Sequence, residues 1–353
     1  MDSKPTRYPE ITVSGSHREM GRQLGEQAGE LVRRFCDLAL ESANRMASVT
    51  PEEAQRVSAK SLEYAKRYAP CLAEEFQGIA ESAEVDVLDL MLAQVRNQFS
   101  DDQQNACTSL SVAPTITTNG SHFVAQTWDA DPALDEVTIV LTRRPTEGPD
   151  YMSVGQAGLI GYMGLNASGI GCCVNTLPAP SRGVGVPHYF SLRRIFEQTS
   201  LDDAVDVLEQ AYRAIPVNIM MTTPQGPANI EATPEQVFVL RDPECLVHTN
   251  HCLHSELVSI NEEYDELCQS YSRLPRMNAL LASRTSDLSV ATISEWFQDH
   301  DNYPGSICRH ANPDDSKHGF IETVFAMIVD AENRSLYVSR GTPCNSPFEE
   351  YRF

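Results

Sequence analysis

The sequence predicts an α+β protein, on three observations. Through most of the first hundred residues, apolar side chains recur at spacings of three and four, the period of an amphipathic helix. At Cys107 that period switches to two. Beyond it, runs of strands and runs of helices follow one another without strict β-α alternation, which argues for layered sheets rather than a parallel βαβ succession. No internal repeat or low-complexity linker interrupts the chain, so one domain spanning 1–353 is expected.

The helical block comes first. In "SHREMGRQLGEQAGELVRRFCDLALESANRMA", Met20, Leu24, Ala28, Leu31, Phe35 and Leu38 line one face. Thr50-Pro51-Glu52-Glu53 is a capping box with proline at the first helical position, so a second helix starts there. The pattern resumes after a break at Pro70, and Asp86 is placed to cap "VLDLMLAQVRNQF". A block this long and amphipathic has to pack onto something.

The strands follow. "CTSLSVAPTI" and "HFVAQTWD" flank Thr117-Thr118-Asn119-Gly120, a hairpin signature in which Asn-Gly supplies the positive φ angles of a tight turn. "VTIVLTRR", "YMSVGQAGLIGYMGLN" and "GIGCCVNTL" continue as strands. "FSLRRIFEQ" and the Ser200-capped "LDDAVDVLEQAYRA" read as helices. "NIMMTTPQ", "PANIEATP", "QVFVLRD" and "CLVHTNHCL" return to strand, with Gly226 in a turn. A helical stretch from about Glu262 to Trp296 precedes a last strand pair, "TVFAMIVDAENRSLYVSRG".

Composition excludes several roles. The 353 residues carry 49 acidic against 27 basic side chains, a net charge of −22, leaving little excess Lys or Arg to displace counterions from a nucleic acid. The N-terminus lacks the apolar stretch of a secretory signal, and no run approaches the ~18 apolar residues of a membrane span. The ten cysteines form no CxxC pair. Free thiols in a reducing cytoplasm are therefore expected, with no nucleic-acid or membrane partner.

A thiol becomes a nucleophile when a base takes its proton and a further group orients that base. A free thiol of pKa ~8.5 is only a few per cent ionised at neutral pH. One solution pairs the cysteine with a histidine. Another makes the cysteine the first residue of a chain, so that its α-amine, pKa ~8, is the base. That second route requires cutting the preceding peptide bond, and Ala106-Cys107, at a loop-to-strand junction, suits it.

The ordered series "GSHREMGRQLGEQAGELV", "VLDLMLAQVRNQF", "ACTSLSV", "AQTWDAD", "GLNASGIGCCVNTL", "EATPEQVFVLRDPECLVHTNHCL", "SICRHANPDD" and "TVFAMIVDAENRSLYVSRGTPC" resembles the acyl-coenzyme A:6-aminopenicillanic acid acyltransferase family. That family is the C45 peptidase-type branch of the N-terminal nucleophile (Ntn) hydrolases, and the resemblance runs from about Gly15 to Phe348. It implies a four-layer αββα sandwich and autoproteolysis between Ala106 and Cys107. The products would be an α fragment, 1–106, and a β fragment, 107–353. Cys107 matches the nucleophile, its own amine being the base. Asp129 matches the carboxylate beside that amine, Asn250 the amide donating to the oxyanion, and Arg309 an arginine near the site. Ala106 stands where a glycine is common, Thr127 replaces the asparagine of "NWD", and Gln94 replaces an asparagine before "VRNQF".

The implied function is amide hydrolysis or acyl transfer through an acyl-enzyme on Cys107, with a small-molecule amide or acyl thioester as substrate and no cofactor. Two alternatives stand beside it: an unprocessed, inactive homologue that binds small molecules, and a conventional Cys-His hydrolase. No metal is expected. In "HTNHCLH", His248 and His254 would face one side of a strand and His251 the other, and no ligand pair with structural-zinc spacing occurs elsewhere. The glycines of "VGQAGLIGYMGLN" do not have dinucleotide-site spacing and read as close backbone approach.

Overall fold

The structure is a computed structural model, describing residues 5–46, 49–99, 106–264, 268–316 and 318–353. In chain order it contains β1 (Glu10–Gly15), α1 (His17–Met46), α2 (Pro51–Tyr68), α3 (Pro70–Ala83) and α4 (Val87–Val95). Strands β2 (Ala106–Val112), β3 (Phe123–Ala130), β4 (Thr138–Pro145), β5 (Tyr151–Gln156), β6 (Met163–Asn166) and β7 (Gly171–Thr176) follow. After α5 (His188–Ile195) and α6 (Leu201–Glu209) come β8 (Val217–Thr223), β9 (Gly226–Ala232), β10 (Val237–Arg241) and β11 (Cys245–His248). The chain closes with α7 (Ser270–Ala282), α8 (Val290–Trp296), β12 (Glu322–Asp330), β13 (Ser335–Arg340) and β14 (Phe348–Arg352).

The strands form two sheets, ordered β1-β4-β5-β6-β7-β8-β9-β10 and β11-β2-β3-β12-β13-β14. They face each other through β2 and β3 on one side and β7, β8 and β9 on the other. On the outer side of the eight-stranded sheet, α1 packs against β1 and β4, α3 and α4 pack on α1, α2 packs on α3 and α4, and α6 packs against β10. Helices α7 and α8 cover the outside of the six-stranded sheet, where Met277, Ile293 and Trp296 pack on Leu110, Ala125 and Ile328. The result is the expected αββα succession of layers.

The helical layer seats itself by contact between backbones. A Cβ on Gly21 of α1 would stand 2.0 Å from the Glu75 carbonyl oxygen of α3, and one on Gly78 would stand 2.7 Å from the Arg18 carbonyl. Only glycine lets the two helices come this close. The local start signals hold: Thr50 accepts from the Glu53 N–H at 3.2 Å, Asp86 from Leu88 at 2.7 Å and Ser200 from Asp203 at 3.2 Å.

Four features differ from the sequence reading. β1 lies within the stretch read as helical; its buried Ile11 and Val13 alternate with exposed Glu10 and Thr12, and it pairs parallel to β4 as an edge strand. β14, "FEEYR", is a second unforeseen edge strand, polar because one side is open. The β2–β3 connection is longer than a two-residue turn. Residues 113–122 join the strands, Gly120 takes φ +69° and Asn119 does not, and the Asn119 side chain instead caps the Ser121 N–H at 3.2 Å. The expected helix to Trp296 is two helices, α7 and α8, with residues 283–289 between them and a short 3-10 turn, Val258–Glu263, ahead. Its residues 265–267 lie outside the described set.

Candidate active site

The site is built where a strand runs out. β11 pairs with β2 only from Cys245↔Val112 to His248↔Ser109. The next β2 residue with its backbone turned that way, Cys107, therefore has no strand partner on the β11 side, while β3 pairs with it on the other. Side chains supply what the ladder does not. The Cys107 N–H donates to Asn250 Oδ1 at 2.9 Å, and its carbonyl accepts from Arg273 Nη1 and from Asn175 Nδ2, the latter at 3.5 Å. Arg273 also donates to Thr108 Oγ1 at 2.9 Å and to Asn250 Oδ1 at 2.8 Å. Because Arg273 can only donate, it fixes the Asn250 amide orientation, which sends Nδ2 to Thr176 Oγ1 at 2.9 Å.

A buried turn holds Asn250. Its N–H donates to Ser270 Oγ at 2.8 Å, and Thr249 Oγ1 shares that hydroxyl at 2.9 Å. The fully buried Glu231 of β9 accepts from His248 Nε2 at 2.9 Å and from the Leu253 and His254 N–H groups at 2.6 and 3.0 Å. Strand alternation past His248 thus does not apply, because "TNHCLH" is a turn wrapped round one carboxylate and not a strand.

Pleating divides the predicted residues between two faces. Cys107 and its partner Trp128 point inward between the sheets, with Ser109 and Asn175. Ala106 and its partner Asp129 point to the outer face, where Ala106 packs with Cys268 and Ile321. Asp129 is buried, accepts from Thr323 Oγ1 at 2.7 Å, and lies 3.5 Å from Arg309 Nε through an Oδ2 that accepts no hydrogen bond. Arg309 donates to the Cys268 carbonyl and to Gln269 Oε1 at 2.7 Å, and Arg273 Nη2 donates to that same carbonyl at 3.0 Å. Cys268 and Gln269 aim it there from φ +45° and +58°, an uncommon conformation for such residues.

Electrostatics follows from burial. Burial pushes the Cys107 thiol well up, Asp129 adds to the effect and Arg273 opposes it, so the sulfur is protonated at neutral pH and needs a base. Burial raises the Asp129 carboxyl as well, against the pull of Arg309 and Arg273. Burial and nearby Arg309 lower Arg273 to about 10, leaving it cationic at neutral pH. Among the described residues, no histidine hydrogen-bonds to Cys107.

The structure therefore gathers Ala106, Cys107, Asp129, Asn250 and Arg309 round one peptide bond. The sequence reading missed Arg273, Asn175, Ser270 and Glu231. Asn175 stands inside "GLNASGIGCCVNTL"; Arg273 and Ser270 fall in an ordinary amphipathic helix and Glu231 in an ordinary strand, with no local signal of their role.

The fold with this site at the strand start is an αββα sandwich, and the family its sequence matches is one of acyl-transferring enzymes. More narrowly, the chain belongs to the family described as acyl-coenzyme A:6-aminopenicillanic acid acyl-transferase, whose profile matches residues 116–345. Asp129, Asn250 and Arg309 fall inside that span and Cys107 just before it. A curated relative from Emericella nidulans, the 40 kDa form of acyl-coenzyme A:6-aminopenicillanic-acid-acyltransferase, is 28% identical over 345 residues, covering 97% of this chain and 94% of its own. Solved structures with a more distant likeness include a mutant of conjugated bile acid hydrolase from Clostridium perfringens, with TM-score 0.47 and 12% identity over 70% of this chain and 97% of that one. Penicillin V acylase from Agrobacterium tumefaciens gives TM-score 0.47 and 13% identity over 66% and 83%.

Proposed function

We propose that the chain cuts itself before Cys107 and then works as a cysteine amidohydrolase or acyltransferase whose nucleophile and base belong to that one residue. The observation that carries this reading is the side-chain grip on Cys107. Its N–H rests on Asn250 Oδ1 and its carbonyl on Arg273, so the residue stays anchored after the bond ahead of it is gone.

In self-cleavage, Cys107 Sγ adds to the Ala106 carbonyl carbon, the C–N bond breaks, and the nitrogen leaves with the thiol's proton. Water then hydrolyses the thioester, giving an Ala106 carboxylate and restoring the thiol. The products are fragments 1–106 and 107–353, held together by the shared core. The freed amine keeps Asn250 Oδ1 as acceptor, and Asp129 Oδ2, which accepts no hydrogen bond and lies 3.5 Å from Arg309 Nε, supports the role of a carboxylate partner on the residue facing Ala106.

In turnover, the Cys107 amine takes the thiol proton as sulfur adds to the substrate carbonyl and passes it to the leaving group. Asn250 Nδ2, which donates to Thr176 Oγ1 at 2.9 Å and to the Thr176 carbonyl at 3.3 Å, would turn one of these N–H groups to the oxyanion, with Arg309 holding the Asp129 side of the site. The acyl group then moves to water or to an amine. The curated relative's name pairs an acyl thioester with an amine, which supports substrates of that class here. Ten free cysteines support a reducing, cytoplasmic setting. Among the described residues, no helix is long and apolar enough to cross a membrane.

Intact-mass analysis of freshly purified protein tests the proposal. Two fragments broken before Cys107 are expected, with an undivided chain for Cys107→Ser. A native chain that stays whole on long incubation yet turns over N-acyl amines or acyl thioesters refutes it.

A further inference from the structure

Away from Cys107, four side chains from two segments meet at one point: His300, Cys308 and His310 from the loop after α8, and Cys344 from between β13 and β14. Each offers one nitrogen or sulfur, and these atoms all lie within 4.8 Å of one another. His310 Nε2 is 3.0 Å from His300 Nε2, 3.6 Å from Cys308 Sγ and 3.5 Å from Cys344 Sγ. Hydrogen bonding does not account for this convergence, because one imidazole nitrogen has a single proton or a single lone pair to offer three neighbours. A tetrahedral ion does. With Zn–S about 2.3 Å and Zn–N about 2.0–2.1 Å, the N···S edges of such a site come to about 3.5 Å and the N···N edge to about 3.3 Å.

We propose that His300, Cys308, His310 and Cys344 form a structural site for a zinc ion, with two thiolate and two imidazole ligands. Four protein ligands complete the tetrahedron and leave no open position for substrate, so the ion's role is architectural. The loop that supplies three ligands is already shaped for it. Tyr303 N–H donates to the His300 carbonyl, Cys308 N–H to that of Asp299 and His310 N–H to that of Pro304, each at 3.0 Å. The Tyr303 ring packs on both histidines, at 5.9 and 5.2 Å between centroids.

The ion would tie the loop after α8 to the segment between β13 and β14, which carries Cys344. Cys308 and His310 flank Arg309, so the same tie would hold Arg309 at Asp129. The sequence shows no compact ligand pair with structural-zinc spacing, which is why no metal is expected from it. Here the ligands are a Cys-x-His step and two residues brought in from either side. The four ligands themselves take no part in the chemistry proposed for Cys107.

Elemental analysis of protein made in zinc-supplied medium and purified without chelator tests this. About one zinc per chain is expected, and exchange for Co2+ should give the visible bands of a tetrahedral, thiolate-ligated ion. His300→Ala and Cys344→Ser, near the surface, should lose most of the metal while keeping a native circular dichroism spectrum. Chelation should lower the melting temperature of the native chain and leave those variants unmoved. Metal-free native protein that shows no such bands with added Co2+ overturns the proposal, whatever the variants do. So does fresh protein in which Cys308 and Cys344 are already joined as a disulfide, seen as a chain lighter by two hydrogens.

Discussion

Glu75 on α3 offers a quantitative test of how the helical layer is fastened to the eight-stranded sheet. Its carboxylate is buried and meets Arg143 of β4 at 2.6 Å, Arg193 of α5 at 3.5 Å and His17 Nδ1 at 3.2 Å. Burial alone would raise its pKa, but Arg143 and Arg193, with His17, overcome burial and hold it at about 2 against an ordinary 4.5. An acid whose folded pKa lies below its unfolded one adds stability that is complete above about pH 5 and lost as pH falls toward about 2. A pKa lowered by roughly 2.5, at about 1.36 kcal/mol for each pH unit, amounts to ~3 kcal/mol. Glu75→Gln keeps the shape and imitates the protonated acid at every pH. It should cost ~3 kcal/mol at about pH 7, at the lower edge of the roughly 3–5 kcal/mol for a broken buried pair, and progressively less toward about pH 3. Urea denaturation across that range measures the gap, in a Cys107→Ala background so that the chain remains one covalent piece. A loss that is the same at both ends of the range, or below about 1 kcal/mol at neutral pH, refutes the reasoning.

Other outcomes are expected on the same footing. Cys107→Ala should remain a single chain with no acyl-transfer activity, read by intact mass and by turnover of an N-acyl amine. Arg273→Met removes the donor to the Cys107 carbonyl and to Asn250 and should slow processing by on the order of 10²-fold, followed as fragment appearance over time. Ser270→Ala strips the Asn250 N–H of its acceptor and should cost about 1–3 kcal/mol in denaturant titration. Gly21→Ala forces a methyl onto the Glu75 carbonyl and should lower stability by about 1–3 kcal/mol without changing the chemistry of the site.

What could be read in advance was local or rested on resemblance. Thr50, Asp86 and Ser200 start their helices through N–H groups two or three residues away, so short-range order was enough to place them. The change of period at Cys107 marked β2 for the same reason. Likeness to a family picked out Cys107, Asp129, Asn250 and Arg309, and folding brings all four to one peptide bond. β1 and β14 escaped because an edge strand is half solvated and leaves only a faint apolar alternation.

Alternation of residue types along the chain, together with end caps, was enough by itself to determine an α+β protein with a helical block ahead of two runs of strands. Only the tertiary structure decided that β11 stops at His248, that Arg273 from a distant helix takes the place of the missing ladder, and that two histidines and two cysteines converge beside Arg309. The physical reason is reach. A hydrogen bond or a metal edge spans about 3 Å in space, whatever number of residues separates its ends in sequence.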